Sequence, residues 1–324
     1  MSKGKKDSLE HELANIRAIR NAPENYDLAR DLTPFLQHKS NHAIAAAADA
    51  AKDLEAEALV PALSAAFTRL MKSPAESDPG CKALISIASA LATLGAEAAD
   101  AYLSGIRHVQ REGSYGPPVD VAAPLRGMCA RGLVRMAHHE ALLRTIEVLA
   151  DREIPARVGA VRALSDSGSP AAELALRLKV LQGDDVEVVG ECFTALLFIE
   201  PERSVEFVAG YLHGQPDQVV ESAALALGES RLASAFTPLQ AAYAAQARRP
   251  LRKTFLLAMA MLRKDEALEF LLTRLEQEPE SAASDALAAL ALYRSDEVIV
   301  ERARRIVTKR DSALLTRLCN ETLR

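Results

Sequence analysis

The stretch VGAVRALSDSGSPAA, residues 158–172, decides the fold of this chain. It reads as the end of one amphipathic helix, a tight turn and the start of the next helix. With Leu164 as anchor, equivalent positions recur at Ala51, Leu91, Leu133, Leu196, Leu227, Ala258 and Ala289. Successive anchors stand 40, 42, 31, 32, 31, 31 and 31 residues apart. A period near 31 with two helices per unit predicts an α-solenoid, a stack of helical hairpins that bury a face only against their neighbours.

Composition supports packed helices. Apolar residues make up 49% of the 324 residues but aromatics only 4%, with no Trp and 60 Ala. Alanine has the best helix propensity and lets helix axes approach towards ~8 Å. No sheet is expected, and the β-branched runs at 186–189 and 298–300 read as helix starts. A net charge of -5 argues against a surface that wraps a nucleic-acid backbone. Cys81, Cys129, Cys192 and Cys319 lie far apart with no C-x-x-C pair, which fits neither a disulfide framework nor a zinc site. No segment is apolar for the ~20 residues of a membrane helix, and MSKGKKDS has no apolar core behind its lysines. The expectation is a soluble, reduced, cytoplasmic protein without membrane insertion, metal or cofactor.

In chain order, residues 1–7 read as a disordered basic tail and residues 8–324 as a single solenoid. Helices are predicted at 8–20 and 26–38, then at 42–54 with Asn41 as N-cap, paired with 58–70. Pro155, Pro170, Pro201, Pro216, Pro250 and Pro279 sit near helix starts, where a missing N–H costs nothing. Charged helices at 296–308 and 312–322 read as a terminal cap. About eighteen helices are expected, forming about eight hairpins between capping helices.

LRGMCARGL (125–133) and ARVGAVRAL (156–164) resemble the second helix of a HEAT repeat, V-R-x-x-A-A-x-A-L. ALGESRLASAF (226–236) resembles the HEAT turn and following helix, and LTPFL (32–36) and LVPAL (59–63) resemble the proline-bearing first helix. The short period is similar to HEAT-like repeats of the phycobilisome-lyase type. The resemblance covers most of residues 26–310. It implies a right-handed all-α solenoid, used for scaffolds, adaptors and a few enzymes. At the HEAT arginine position only Arg126 and Arg157 match, so a ladder of Arg–Asp pairs is confined to the third and fourth units.

Arg126 and Arg157 read as structural partners of turn acids such as Asp120 or Asp151. Arg131 and Arg162 stand five residues later, about 140° round the helix, and face away from the core as a candidate binding surface. Arg248, Arg249, Arg252 and Lys253 form the densest basic cluster, a candidate for an anionic partner. His138-His139-Glu140 invites comparison with HEAT-like deoxyhypusine hydroxylases, which carry His-Glu pairs on several repeats. Only His11-Glu12 joins it here, so no metal centre is expected. HEAT-like DNA glycosylases rely on Trp and a basic groove, which this acidic chain lacks. No Ser/His/Asp order or Gly-rich phosphate loop stands out, so no catalytic residue is assigned.

The spacing lengthens only twice, and both times between the helices of a hairpin, at residues 72–80 (KSPAESDPG) and 111–118 (REGSYGPP). Equivalent loops emerge on one edge, so the two insertions should lie side by side, with Tyr115 as an amphipathic anchor. Both are expected to be trimmable without loss of stability. The leading reading is a non-enzymatic scaffold or adaptor that binds a protein through its concave face or inserted-loop edge. Its alternative is a HEAT-like enzyme or lyase-type chaperone that holds a cofactor or modified substrate in the groove.

Overall fold

The computed structural model describes residues 3–113 and 116–323, which form two compact units, Met1–Ala172 and Glu173–Arg324. In the first lie α1 (Lys3–Asn21), α2 (Leu28–Leu36), α3 (Asn41–Asp53), α4 (Val60–Leu70), α5 (Pro74–Ser77), α6 (Lys82–Thr93), α7 (Ala99–Gly105), α8 (Ala123–Arg135), α9 (Ala141–Leu149) and α10 (Ile154–Ser167). The unit boundary falls near the start of α11 (Pro170–Gln182). The second unit continues with α12 (Val186–Ile199), α13 (Pro201–Ala209), α14 (Asp217–Ser230), α15 (Phe236–Ala245), α16 (Arg249–Leu262), α17 (Asp265–Gln277), α18 (Glu280–Leu290), α19 (Glu297–Arg310) and α20 (Ala313–Thr322). The chain is all-α and built as a solenoid of helical hairpins. The expected rhythm of hairpins is present, with α1 starting inside the stretch read as a tail and the four-residue α5 added in the first insertion.

Every anchor lies in the last two turns of its helix and is buried. Within the first unit α3, α6, α8 and α10 pack in sequence, and within the second α12, α14, α16 and α18 do so. Alanine and glycine bring these helices close. An added Cβ on Gly159 would stand 2.5 Å from the Gly127 Cα, so α8 and α10 touch backbone to backbone. Gly132 leaves room for the ring of Tyr102, which would lie 2.4 Å from a Cβ there. The expected prolines open helices: Pro155 and Pro250 stand at the second position of α10 and α16, and Pro170 and Pro201 at the first of α11 and α13. α10 closes on Gly168 at φ +56°, the left-handed cap that ends a helix sharply.

Two expectations change. A two-residue antiparallel pair, β1 (Arg111–Glu112) and β2 (Val119–Asp120), interrupts the helices at the second insertion, with Arg111 opposite Asp120 and Glu112 opposite Val119. Asn41 does not cap α3. Ser40 holds the cap position, and the Asn41 amide instead reaches across to the next repeat. No helix among the described residues is long and apolar enough to cross a membrane.

Candidate functional site on the inserted-loop edge

The two insertions meet. The Gly80 N–H donates to both oxygens of the Glu112 carboxylate, at 2.9 and 3.0 Å. Gln110 Nε2 donates to the Asp78 carbonyl at 3.0 Å and to Glu112 Oε1 at 2.6 Å. Gly80 adopts φ +75°, which lets its amide face the carboxylate without a side chain in the way.

Asp78 explains why the first insertion is ordered. It is fully buried, and its carboxylate accepts from the Ala83 and Leu84 N–H groups at 3.0 and 2.8 Å, at the open end of α6. A carboxylate there satisfies orphan donors and the positive end of the helix dipole together. Asn41 Nδ2 donates to the same carboxylate at 2.9 Å and to the Pro79 carbonyl, which ties the loop to α3.

The residues that flank the second insertion are held from the other side. Asp120 accepts from the N–H groups of Gln110 and Ala122, and its second oxygen takes Arg126 Nη1 at 2.8 Å. Arg126 also donates to the His108 carbonyl and, through Nε and Nη2, to both Asp151 oxygens. Its side chain is 5% exposed. Arg157 donates to the carbonyls of Asp151 and Arg152. The polar connections therefore run from α3 by way of both insertions to α10, along the four helices α3, α6, α8 and α10 that pack in sequence. The sequence reading places an arginine ladder on the last two only. It misses Asp78, Gln110 and Glu112, although an Asp before Pro-Gly at the start of a predicted helix is a legible cap signal.

Burial alone would raise the Asp120 carboxyl pKa. The bonds from the Gln110 amide, the Arg126 guanidinium and the Ala122 amide outweigh it and hold the carboxyl below its usual range. A carboxyl with a depressed folded-state pKa stabilises the fold above its unfolded value near ~4, and that contribution is lost as pH falls through the folded value. Urea unfolding should therefore show Asp120→Asn costing more at pH 7 than at pH 3. Equal costs at both would mean that the Asp120 charge has no part in stability.

Above these anchors the edge presents Val109, Arg111, Pro117, Pro118 and Val119, all exposed. Tyr115 lies outside the described residues. Of the other sequence candidates, Arg131 Nε pairs with Asp166 at 2.6 Å and Arg135 with the same carboxylate, while Arg162 is exposed. Arg248 pairs with Asp217, and Arg249 and Lys253 share Asp285, so two carboxylates offset two of the four charges in the basic cluster. Arg252 instead lies over the Tyr243 ring, 4.2 Å from its centroid. His138 Nδ1 accepts from the Glu140 N–H, and the His138 and His139 rings stack at 4.4 Å. No group of three or more metal-ligating side chains converges among the described residues.

No protein-family model matches the chain, and no curated protein matches it. Among solved structures it is similar to the complex of CpcE and CpcF of phycocyanin lyase from Nostoc sp. PCC7120, at 19% identity over 80% of this chain and 93% of that one, TM-score 0.40. It is also similar to an engineered protein (18% identity, 95% and 90% covered, TM-score 0.37). Human deoxyhypusine hydroxylase in complex with glycerol is a third (19% identity, 72% and 84% covered, TM-score 0.33).

Proposed function

We propose that the chain is a cytoplasmic, non-enzymatic scaffold of the HEAT-like kind, and that a protein partner docks on the inserted-loop edge. The observation that carries this reading is the clamp between Gly80 and Glu112. Two loops that outgrow the turns of a helical stack are fastened to each other and to the helices beneath. They hold an apolar and basic rim, with Val109, Arg111 and Val119, in one conformation before anything binds. A preformed surface avoids the entropy of ordering loops at the moment of association. Four buried free thiols suit a reducing compartment.

The test follows the register of the hairpin. Trimming both insertions whole would remove Asp78, a buried anchor, and Glu112, the carboxylate of the clamp, so the expectation of harmless trimming does not hold for them. The neutral cut replaces residues 113–118 with Asn-Gly, a two-residue turn suited to joining Glu112 and Val119. Once a partner has been captured from the native cell, this variant should keep its stability within about 0.5 kcal/mol. Its affinity should fall at least tenfold, about 1.4 kcal/mol. Full affinity would remove the edge from the binding surface. A coloured or metal-loaded native preparation would overturn the scaffold reading itself.

A further inference from the structure

A pocket of about 500 Å³ opens between α15 and α17 of the Glu173–Arg324 unit, a size that holds a small molecule. Two aromatic rings line it: Tyr243 and Phe270 meet edge to face, with centroids 5.7 Å apart. Ala241 and Ala244 of α15 line it too, and their short side chains leave the gap between the helices unfilled. A slot with these walls takes a flat apolar body.

Its cations are short of acceptors. Arg252 lies over the Tyr243 ring. Its one hydrogen bond among the described residues goes to the neutral Tyr243 hydroxyl, at 2.7 Å. A guanidinium carries five N–H donors, so the charge and most of the donors of Arg252 are left unmatched. Arg274 pairs with Glu278 at 2.8 Å and lies over the Phe270 ring. Its buried Nε has no hydrogen-bond partner among the described residues. Two positive charges against one negative leave the pocket a surplus of one.

No further carboxylate bonds to either guanidinium among the described residues. α15 carries no charged residue, and Glu269 and Glu276 of α17 are bonded to Arg302 and Lys309. Asp265 and Glu266 stand in the first turn of α17, at the end away from Arg274. At flanking positions of α16, Arg249 and Lys253 share the single carboxylate of Asp285, so the surroundings add to the surplus.

We propose that this pocket binds a small monoanionic carboxylate with a flat aromatic body. The planar guanidinium of Arg252 matches a carboxylate in geometry as well as in charge. Glu278 in the wall repels the second charge of a dianion such as a phosphate ester. The site lies in the other unit from the inserted-loop edge, and it does not depend on the scaffold reading.

The probes are naphthoate, its neutral isostere naphthamide, and naphthyl phosphate at about pH 8, where the ester is a dianion. By isothermal titration calorimetry the full chain should bind naphthoate at least tenfold more tightly than either of the others. Arg252→Gln should bring naphthoate down to the level of naphthamide, with helix content and thermal midpoint unchanged. Ala241→Phe, on an exposed position of the wall, should abolish binding of both. Glu278→Gln should narrow the gap between naphthoate and naphthyl phosphate. The Asn-Gly hairpin variant should bind as the native chain does. Equal binding of acid and amide, no binding of naphthoate at millimolar concentration, or tighter binding of the phosphate would overturn the proposal. So would a preference that survives Arg252→Gln, or binding untouched by Ala241→Phe, because the ligand would then sit elsewhere.

Discussion

Replacing Arg126 with alanine should destabilise the Met1–Ala172 unit by about 3–5 kcal/mol. The guanidinium makes four hydrogen bonds, to Asp120, to both oxygens of Asp151 and to the His108 carbonyl, and its side chain is almost wholly buried. Truncation removes those bonds and leaves Asp120 buried without its cation, which costs more than the pair contributes when intact. The loss should appear as a lower urea midpoint. Removing both carboxylates as well, in Arg126→Ala/Asp120→Ala/Asp151→Ala, should restore part of it, because no uncompensated charge then remains. A loss below about 1 kcal/mol for the single variant would mean that water reaches Asp120 and that the network is a surface feature.

Gly159→Val should cost about 3 kcal/mol or more, at the upper end of overpacking. A Cβ on Gly159 meets the Cα and carbonyl carbon of Gly127 at 2.5 and 3.3 Å, and a helix backbone cannot turn aside as a side chain can. α8 and α10 would have to separate along their whole contact. Gly190→Ala is the control: its Cβ would meet only Ser222 side-chain atoms, at 3.3 and 3.4 Å. Its gain in helix propensity should keep that variant within about 1 kcal/mol of native. Thermal unfolding of the two variants side by side reads the difference. Equal, small shifts would show that the stack yields easily between α8 and α10.

The contrast between these glycines shows where the sequence is readable. Burial of the anchors, from Ala51 to Ala289, follows from the period alone, because a residue repeated on one helix face must meet its equivalents in the stack. Gly127 and Gly159 stand six and five residues before their anchors, so aligning the repeats does not pair them. Their contact depends on the angle at which two helices cross, which no single repeat encodes. The edge divides in the same way. That both insertions share one side follows from repeat logic, and their lengths are plain in the spacings. The bond from Gly80 to Glu112 joins residues that far apart in sequence, and a carboxylate in a charged chain carries no mark of the amide it will meet. Asn41 reads as a cap from its neighbours, yet it stands one position inside α3, and its Nδ2 donates to Asp78 in the next repeat.

The clamp beneath the hairpin uses one backbone amide and one carboxylate, and its companions Asp78, Gln110 and Asp120 lie outside residues 113–118. Selection for folding therefore acts on Asp78, Gly80, Gln110, Glu112 and Asp120 and leaves the segment between the strands open to drift in length and composition. Under the docking proposed for this edge, a lineage with this stack can exchange one partner for another by rewriting that segment while inheriting the skeleton unchanged, as a door is rekeyed without being rehung.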